Sequence, residues 1–133
     1  MIYEQLRQSL NDIHAEIQWL DEQIKVEEKI IQANNSDIDF IRTLDEDNIM
    51  DADGKPRQDV KALLKKHGYD DVDGMDIADI LLITQIIETD LHSDNIERKT
   101  RISDYQDRHA VLRDTAKRLQ DNLPDSTPDD VRE

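Results

Sequence analysis

The 133-residue chain contains no cysteine, only three glycines and three prolines, and few aromatics: one Trp, one Phe and three Tyr. Each scarcity excludes something. Without cysteine there is no disulfide, no thiolate metal site and no cysteine nucleophile. Three scattered glycines cannot build a Gly-rich phosphate loop. None of the five serines lies in a nucleophile-elbow pattern. No stretch approaches the roughly 18 uninterrupted apolar residues that a spanning helix needs. The opening Met1-Ile2-Tyr3-Glu4 lacks the charged and apolar regions of a signal peptide, so a cytoplasmic location is expected. The length suits one domain with one core, too short for a cofactor fold plus a substrate domain.

Charge is what the chain has in quantity. Thirty-two acids face seventeen Lys and Arg, a net charge of −15, and the excess is spread along the sequence. Nucleic-acid binders gather basic residues on one face, because counterion release supplies much of their affinity. The overall field here repels nucleic acids and anionic bilayers and steers basic partners inward. Lys55, Arg57, Lys61, Lys65 and Lys66 form the one basic cluster, opposed only by Asp59. It reads as a solvated face, or as an intramolecular complement to the acids, rather than an anion site.

Hydrophobic spacing supplies the architecture. Tyr3, Leu6, Leu10, Ile13, Ile17, Leu20, Ile24 and Ile31 follow alternating steps of three and four, with Glu27 the single lapse. That is the a/d seam of a heptad on one long helix, over about 2–34 or, read through Asn34-Asn35-Ser36, about 2–44. Ala15, Trp19, Val26, Ile30 and Ala33 form a second stripe, which a two-stranded hairpin would leave wet. Asp45-Glu46-Asp47 and the run Asp51 to Pro56 read as loop. Val60, Leu63 and Leu64 mark a short helix over about 57–67, ended by Gly68 in a left-handed cap. After a turn at Asp71-Val72-Asp73-Gly74, residues 77–87 are apolar nearly all round, which predicts a deeply buried helix over about 75–91. Asp94 with Glu97 resembles a cap pair restarting a helix over about 94–122. Its seam is Ile102, Tyr105, His109, Leu112, Ala116, Leu119 and Leu123. Residues 124–133 are expected to be a disordered acidic tail.

The expected fold is all-α, a single helical domain over 1–123. Two long terminal helices zip into an antiparallel coiled-coil-like hairpin with short helices between them. So thin a rod buries little per residue, and the two uncovered apolar stripes call for a second copy, so a homodimeric bundle is expected.

Chemistry is harder to find. The two D-x-D-G turns resemble the centre of a calcium loop, but with Gly54 or Gly74 at loop position 6 the first ligand becomes Ile49 or Tyr69 and the last Val60 or Ile80. A hard cation binds poorly with half its oxygens, so these are acidic turns and no metal or other cofactor is expected. Carboxylate pairs for a Mg-dependent helical-bundle nucleotide hydrolase exist at Asp76/Asp79, Glu88/His92, Asp94/Glu97 and Asp104/Asp107. With this many acids such spacings arise by chance, and none matches a second pair on the first helix, where Glu27 and Glu28 come nearest. His14, His67, His92 and His109 are dispersed; His109 sits on the seam, where a polar group sets register.

The favoured expectation is a non-enzymatic acidic protein-binding factor, of inhibitor, immunity or antitoxin type, occupying a basic surface of a partner protein, a nucleic-acid-binding surface being one such target. It binds neither nucleic acid nor membrane directly. The expected contacts are Asp37, Asp39, Asp45, Glu46, Asp47, Asp51, Asp53, Asp70, Asp71 and Asp73, because loops carry specificity while the seams are committed to packing. Trp19 is added as a packing plug or an interface anchor. A coiled-coil structural or adaptor protein is the alternative, and the Mg-dependent hydrolase a second one.

Overall fold

A computed structural model describes residues 2–123. Among them are three helices and no β-strand: α1 (Ile2–Arg42), α2 (Gln58–Lys66) and α3 (Ile77–Asn122), with α1 and α3 packed together. The chain is therefore all-α. The expected tail, 124–133, lies outside the described residues.

One element boundary differs from expectation, and one left open is decided. α1 runs through residues 34–36, as the longer of its two expected ranges has it, whereas the separate helices expected over 75–91 and 94–122 are one uninterrupted α3. Both continuities have one cause. No Gly or Pro forces a stop at either place, and the polar residues that suggested one face each other across the helix pair. Asn34 Nδ2 donates to Asp94 Oδ2 and to Asn95 Oδ1, each at 2.9 Å, and Asn95 Nδ2 donates to Asn35 Oδ1 at 3.0 Å. Asp94 also takes the Arg98 Nε–H one turn on, at 2.7 Å. Side chains that satisfy one another have no need of a helix end.

The described residues divide into two compact units, one from residues 2–27 with 99–123 and the other from residues 28–98. In the first, α1 and α3 run antiparallel, with Glu16 paired to Arg108 at 2.9 Å and Glu27 to Arg101 at 3.4 Å. The seam positions turn inward: Leu10, Leu20, Leu112 and Ala116 are buried and the remaining seam residues half-buried. Glu27, the lapse in the heptad, is 7% exposed and held by its arginine. His109 Nε2 meets Asp21 at 3.0 Å, an interhelical contact from a seam position.

The second unit has a fuller core. Ile38 and Ile41 of α1, Ile49, Val60, Leu63 and Leu64 around α2, Val72, and Ile80, Ile87 and Leu91 of α3 form one buried cluster. Local chemistry shapes the connections. α2 ends in a Schellman motif: Tyr69 N–H donates to Leu64 O at 2.8 Å and Gly68 N–H to Lys65 O at 3.0 Å. Gly68 holds φ +94°, a conformation L side chains rarely adopt. Asp76 Oδ1 accepts the Asp79 N–H at 2.8 Å and so caps α3.

One packing expectation is corrected here. Residues 77–87 are not buried all round: Ile80, Thr84 and Ile87 are buried, whereas Leu82 is 56% and Ile86 42% exposed. Only one face of α3 meets α1 and α2, and Leu82 and Ile86 lie on the opposite one.

Candidate functional site

The ten expected contact acids all belong to the unit formed by residues 28–98, and the structure sorts them by what they touch. Two are neutralised. Asp37, on α1, meets Lys66 Nζ at 2.9 Å and His67 Nε2 at 3.3 Å. Asp73 meets Lys61 Nζ at 2.9 Å, and that hydrogen bond, with the lysine charge, holds its carboxyl below the ordinary value of 3.8.

Two others build their own loops. Asp45 Oδ1 accepts the N–H groups of Asp47 and Asn48 at 2.8 and 3.0 Å, while Asn48 returns a side-chain acceptor to the Asp45 N–H at 2.9 Å. Asp51 Oδ1 accepts the N–H groups of Asp53 and Lys55 at 2.8 and 3.0 Å. Around it, Gly54 N–H donates to Asp51 O at 3.1 Å and Asp51 N–H to Lys55 O at 2.7 Å, beside a bridge between Met50 and Pro56. With Gly54 at φ +77° this is a three-residue hairpin loop closed by a glycine bulge. The D-x-D-G sequence at 51–54 is thus turn chemistry.

Asp39, Glu46, Asp47, Asp53, Asp70 and Asp71 remain. All six are exposed, and among the described residues none forms an ion pair. They stand on α1 and on the two connections flanking α2.

The basic cluster opposite them is largely committed. Arg57 makes a two-pronged contact with Asp59, with Nε–Oδ1 at 3.0 Å, and its Nη1 donates to the Asn48 carbonyl at 2.9 Å. Its guanidinium also lies 5.9 Å from the Phe40 ring centroid. The hydrogen bond with Asp59 and their opposite charges lower the Asp59 pKa and raise that of Arg57. Arg57 therefore ties the 45–49 loop, α1 and the start of α2 together. Residue spacing alone gave no sign of that role, which depends on where the loop returns. Lys61 and Lys66 are paired as above, and Arg42 meets Glu88 at 3.2 Å and His92 at 3.2 Å.

Of the carboxylate pairs considered for a metal, Asp76/Asp79 is a helix cap, Glu88/His92 binds Arg42, and Asp94 is held by Asn34 and Arg98. Among the described residues, no group of three or more His, Asp or Glu side chains is arranged to hold a metal ion. No described helix is long and apolar enough to cross a membrane.

Trp19 belongs to the other unit. It is 49% exposed, edge-to-face with Tyr105 at 6.0 Å between centroids. Within the chain it is a half-covered aromatic, and Val26, one heptad on, is 48% exposed. The stripe that a two-helix seam cannot cover is indeed wet.

Compared with protein-family models, curated proteins and solved structures, the chain matches none. Its reading rests on its own chemistry.

Proposed function

We propose that the protein is a non-enzymatic, acidic protein-binding factor that occupies a basic surface of a partner protein, in the manner of an inhibitor, immunity or antitoxin factor. One observation carries this reading. The 28–98 unit holds 18 acids and 8 bases, and five of those bases, Arg42, Arg57, Lys61, Lys66 and Arg98, already hold an acid of the same unit. Its residual surface charge is therefore negative, and six carboxylates on α1 and the loops are free to meet cations. Such a surface accelerates encounter with a basic target, such as the lysines and arginines of a nucleic-acid-binding enzyme.

A second reading has its own support. Asp37, Asp59 and Asp73 alternate with Lys66, Arg57 and Lys61, and that mixing favours a coiled-coil structural or adaptor module whose acidity keeps it soluble. In either case the wet stripes at Trp19–Val26 and Leu82–Ile86 support a homodimeric bundle, in which the first unit is a coiled-coil-like hairpin. A Mg-dependent hydrolase has no positive observation behind it.

The experiment is affinity capture by the full chain at low and high salt, repeated with Asp39, Glu46, Asp47, Asp53, Asp70 and Asp71 changed to Asn or Gln. A basic partner held at low salt, released at high salt and lost by the neutralised variant is expected. A partner that survives both salt and neutralisation replaces this reading with the adaptor.

A further inference from the structure

We infer that Asp73-Gly74 is the site at which the folded chain converts itself to isoaspartate, and that Lys61 is the brake on that conversion. The inference stands apart from the binding role proposed above. Aspartate followed by glycine is the pair most open to this reaction, because glycine brings no side chain to hinder ring closure. The chain has two such pairs, Asp53-Gly54 and Asp73-Gly74, which sequence alone does not tell apart. The glycine nitrogen attacks Cγ of the protonated carboxyl. An N–Cγ bond forms, the bond from Cγ to the hydroxyl oxygen breaks, and the hydroxyl leaves with the amide proton as water. Water then opens the succinimide ring at the aspartate's main-chain carbonyl. The chain thereafter runs through Cβ and Cγ, the former main-chain carbonyl is a free carboxylate, and the composition is unchanged.

The fold restrains one reacting group at each pair, and restrains them unequally. At Asp53-Gly54 it is the nitrogen. Gly54 N–H donates to Asp51 O at 3.1 Å, inside a hairpin closed by Asp51 N–H to Lys55 O at 2.7 Å and Arg57 N–H to Ile49 O at 3.1 Å. Freeing that N–H means opening the hairpin loop. At Asp73-Gly74 it is the carboxyl, with Lys61 Nζ 2.9 Å from Oδ1 and 3.1 Å from Oδ2. Gly74 N–H makes no hydrogen bond among the described residues, and nothing lies within 4 Å of where a Cβ on Gly74 would stand. Lys61 fixes the carboxyl in place and, through its hydrogen bond and with the charge of Lys55, favours the ionised form, which has no hydroxyl to lose. Both side chains of the pair are nevertheless solvent-exposed, at 36% and 47%, and an ion pair so wetted is weak. It opens more readily than the hairpin, so Asp73 reacts before Asp53. The place gives the reaction its consequence. Val72 is fully buried, and Met75 N–H donates to Val72 O at 3.0 Å across Asp73-Gly74. Isomerisation adds a main-chain atom to that turn, between the core and the Asp76 cap of α3, and so loosens the 28–98 unit.

The test ages the full chain warm at neutral pH, folded and in urea. Isoaspartate is located by peptide mapping with electron-transfer fragmentation and counted with an isoaspartyl methyltransferase and labelled S-adenosylmethionine. In urea both pairs are expected to react at similar rates; in the folded chain Asp73 is expected to react several-fold faster than Asp53. Lys61→Met is expected to raise the Asp73 rate several-fold and leave the Asp53 rate unchanged, while Lys61→Arg keeps the native rate. Gly74→Ala is expected to silence Asp73. Folded Asp53 reacting as fast as Asp73, or neither reacting while both do in urea, overturns the site. Lys61→Met with no change at Asp73, or with the same rise at both pairs, overturns the brake. The isoaspartyl form, separated by ion exchange, is expected to melt below the unmodified chain, and equal melting overturns the loosening.

Discussion

The two units draw on the same two long helices and bury them in different ways. In residues 28–98, α2 and its connections lie over α1 and α3, and ten hydrophobic side chains form one buried cluster. In the unit built from 2–27 and 99–123 only two helices meet, and among these described residues Leu10, Leu20, Leu112 and Ala116 are the buried hydrophobics. A two-helix seam covers each side chain from one side, so Ile13, Ile17, Ile24 and Leu119 stay half-buried despite good heptad spacing. A third layer turns seam into core. Charge follows the same division: 18 acids and 8 bases in residues 28–98 against 10 and 8 in residues 2–27 and 99–123, net charges of −10 and −2. The unit with the better core also carries the larger net charge.

That contrast can be broken most directly by truncating equivalent leucines. Leu64 is fully buried in the cluster and Leu20 is 2% exposed in the seam. Leu64→Ala is expected to cost about 4 kcal/mol and Leu20→Ala about 2 kcal/mol in urea unfolding, because the two-helix seam relaxes around the lost volume more readily. Equal costs would show that the seam is packed as tightly as the core.

The polar layer comes next. Asn95 is 5% exposed and bonds both Asn34 and Asn35, so Asn95→Leu removes two interhelical hydrogen bonds; Asn34 keeps Asp94 and Asn35 keeps water, and the expected cost is about 1 kcal/mol. The same kind of change in the other unit should reverse sign. Glu27→Leu restores the lapsed heptad position and removes a buried carboxylate, while Arg101 stays hydrated at 45% side-chain exposure. A gain of about 1 kcal/mol is expected in the same assay. A loss would mean that the ion pair holds the seam.

The smallest effect is electrostatic. Asp59 and Asp73 have folded pKa values below the ordinary 3.8, each through a hydrogen bond and the charge of its base. Their contribution to stability is present above about pH 4 and lost as pH falls through the folded values. Both are exposed and screened, so the loss is slight. The difference in melting temperature between the native chain and the Asp59→Asn, Asp73→Asn double variant should be measurable at pH 7 and should disappear near pH 2.

Much of this was legible in the residues. The seams from Tyr3 to Ile31 and from Ile102 to Leu123 turn inward, Val60-Leu63-Leu64 is the short buried helix, and Gly68 ends it in the left-handed cap. Spacing and a lone glycine suffice there, because both act within a few residues. Asp94 misled, and Asn34-Asn35-Ser36 left the end of the first helix open, for the opposite reason. Their polarity signals a helix end only if nothing across the way satisfies it, and the satisfying groups stand 60 and 61 positions apart in sequence. The candidate surface was half legible. The acids were in view as a composition, but which of them meet a base depends on where Lys61, Lys66 and Arg57 come to lie.

Sequence periodicity by itself determined that this chain is helical, which edges of its helices are apolar and where its turns fall, since those follow from propensity and local backbone hydrogen bonding. Only the tertiary structure decided that α3 is unbroken, that Glu27 and Asn95 are inside, that Leu82, Ile86 and Trp19 are wet, and that six of the ten expected contact acids meet neither a base nor their own loop. Each of these depends on which side chain another helix or loop brings within about 3 to 4 Å, and contact between remote segments is what no local pattern encodes.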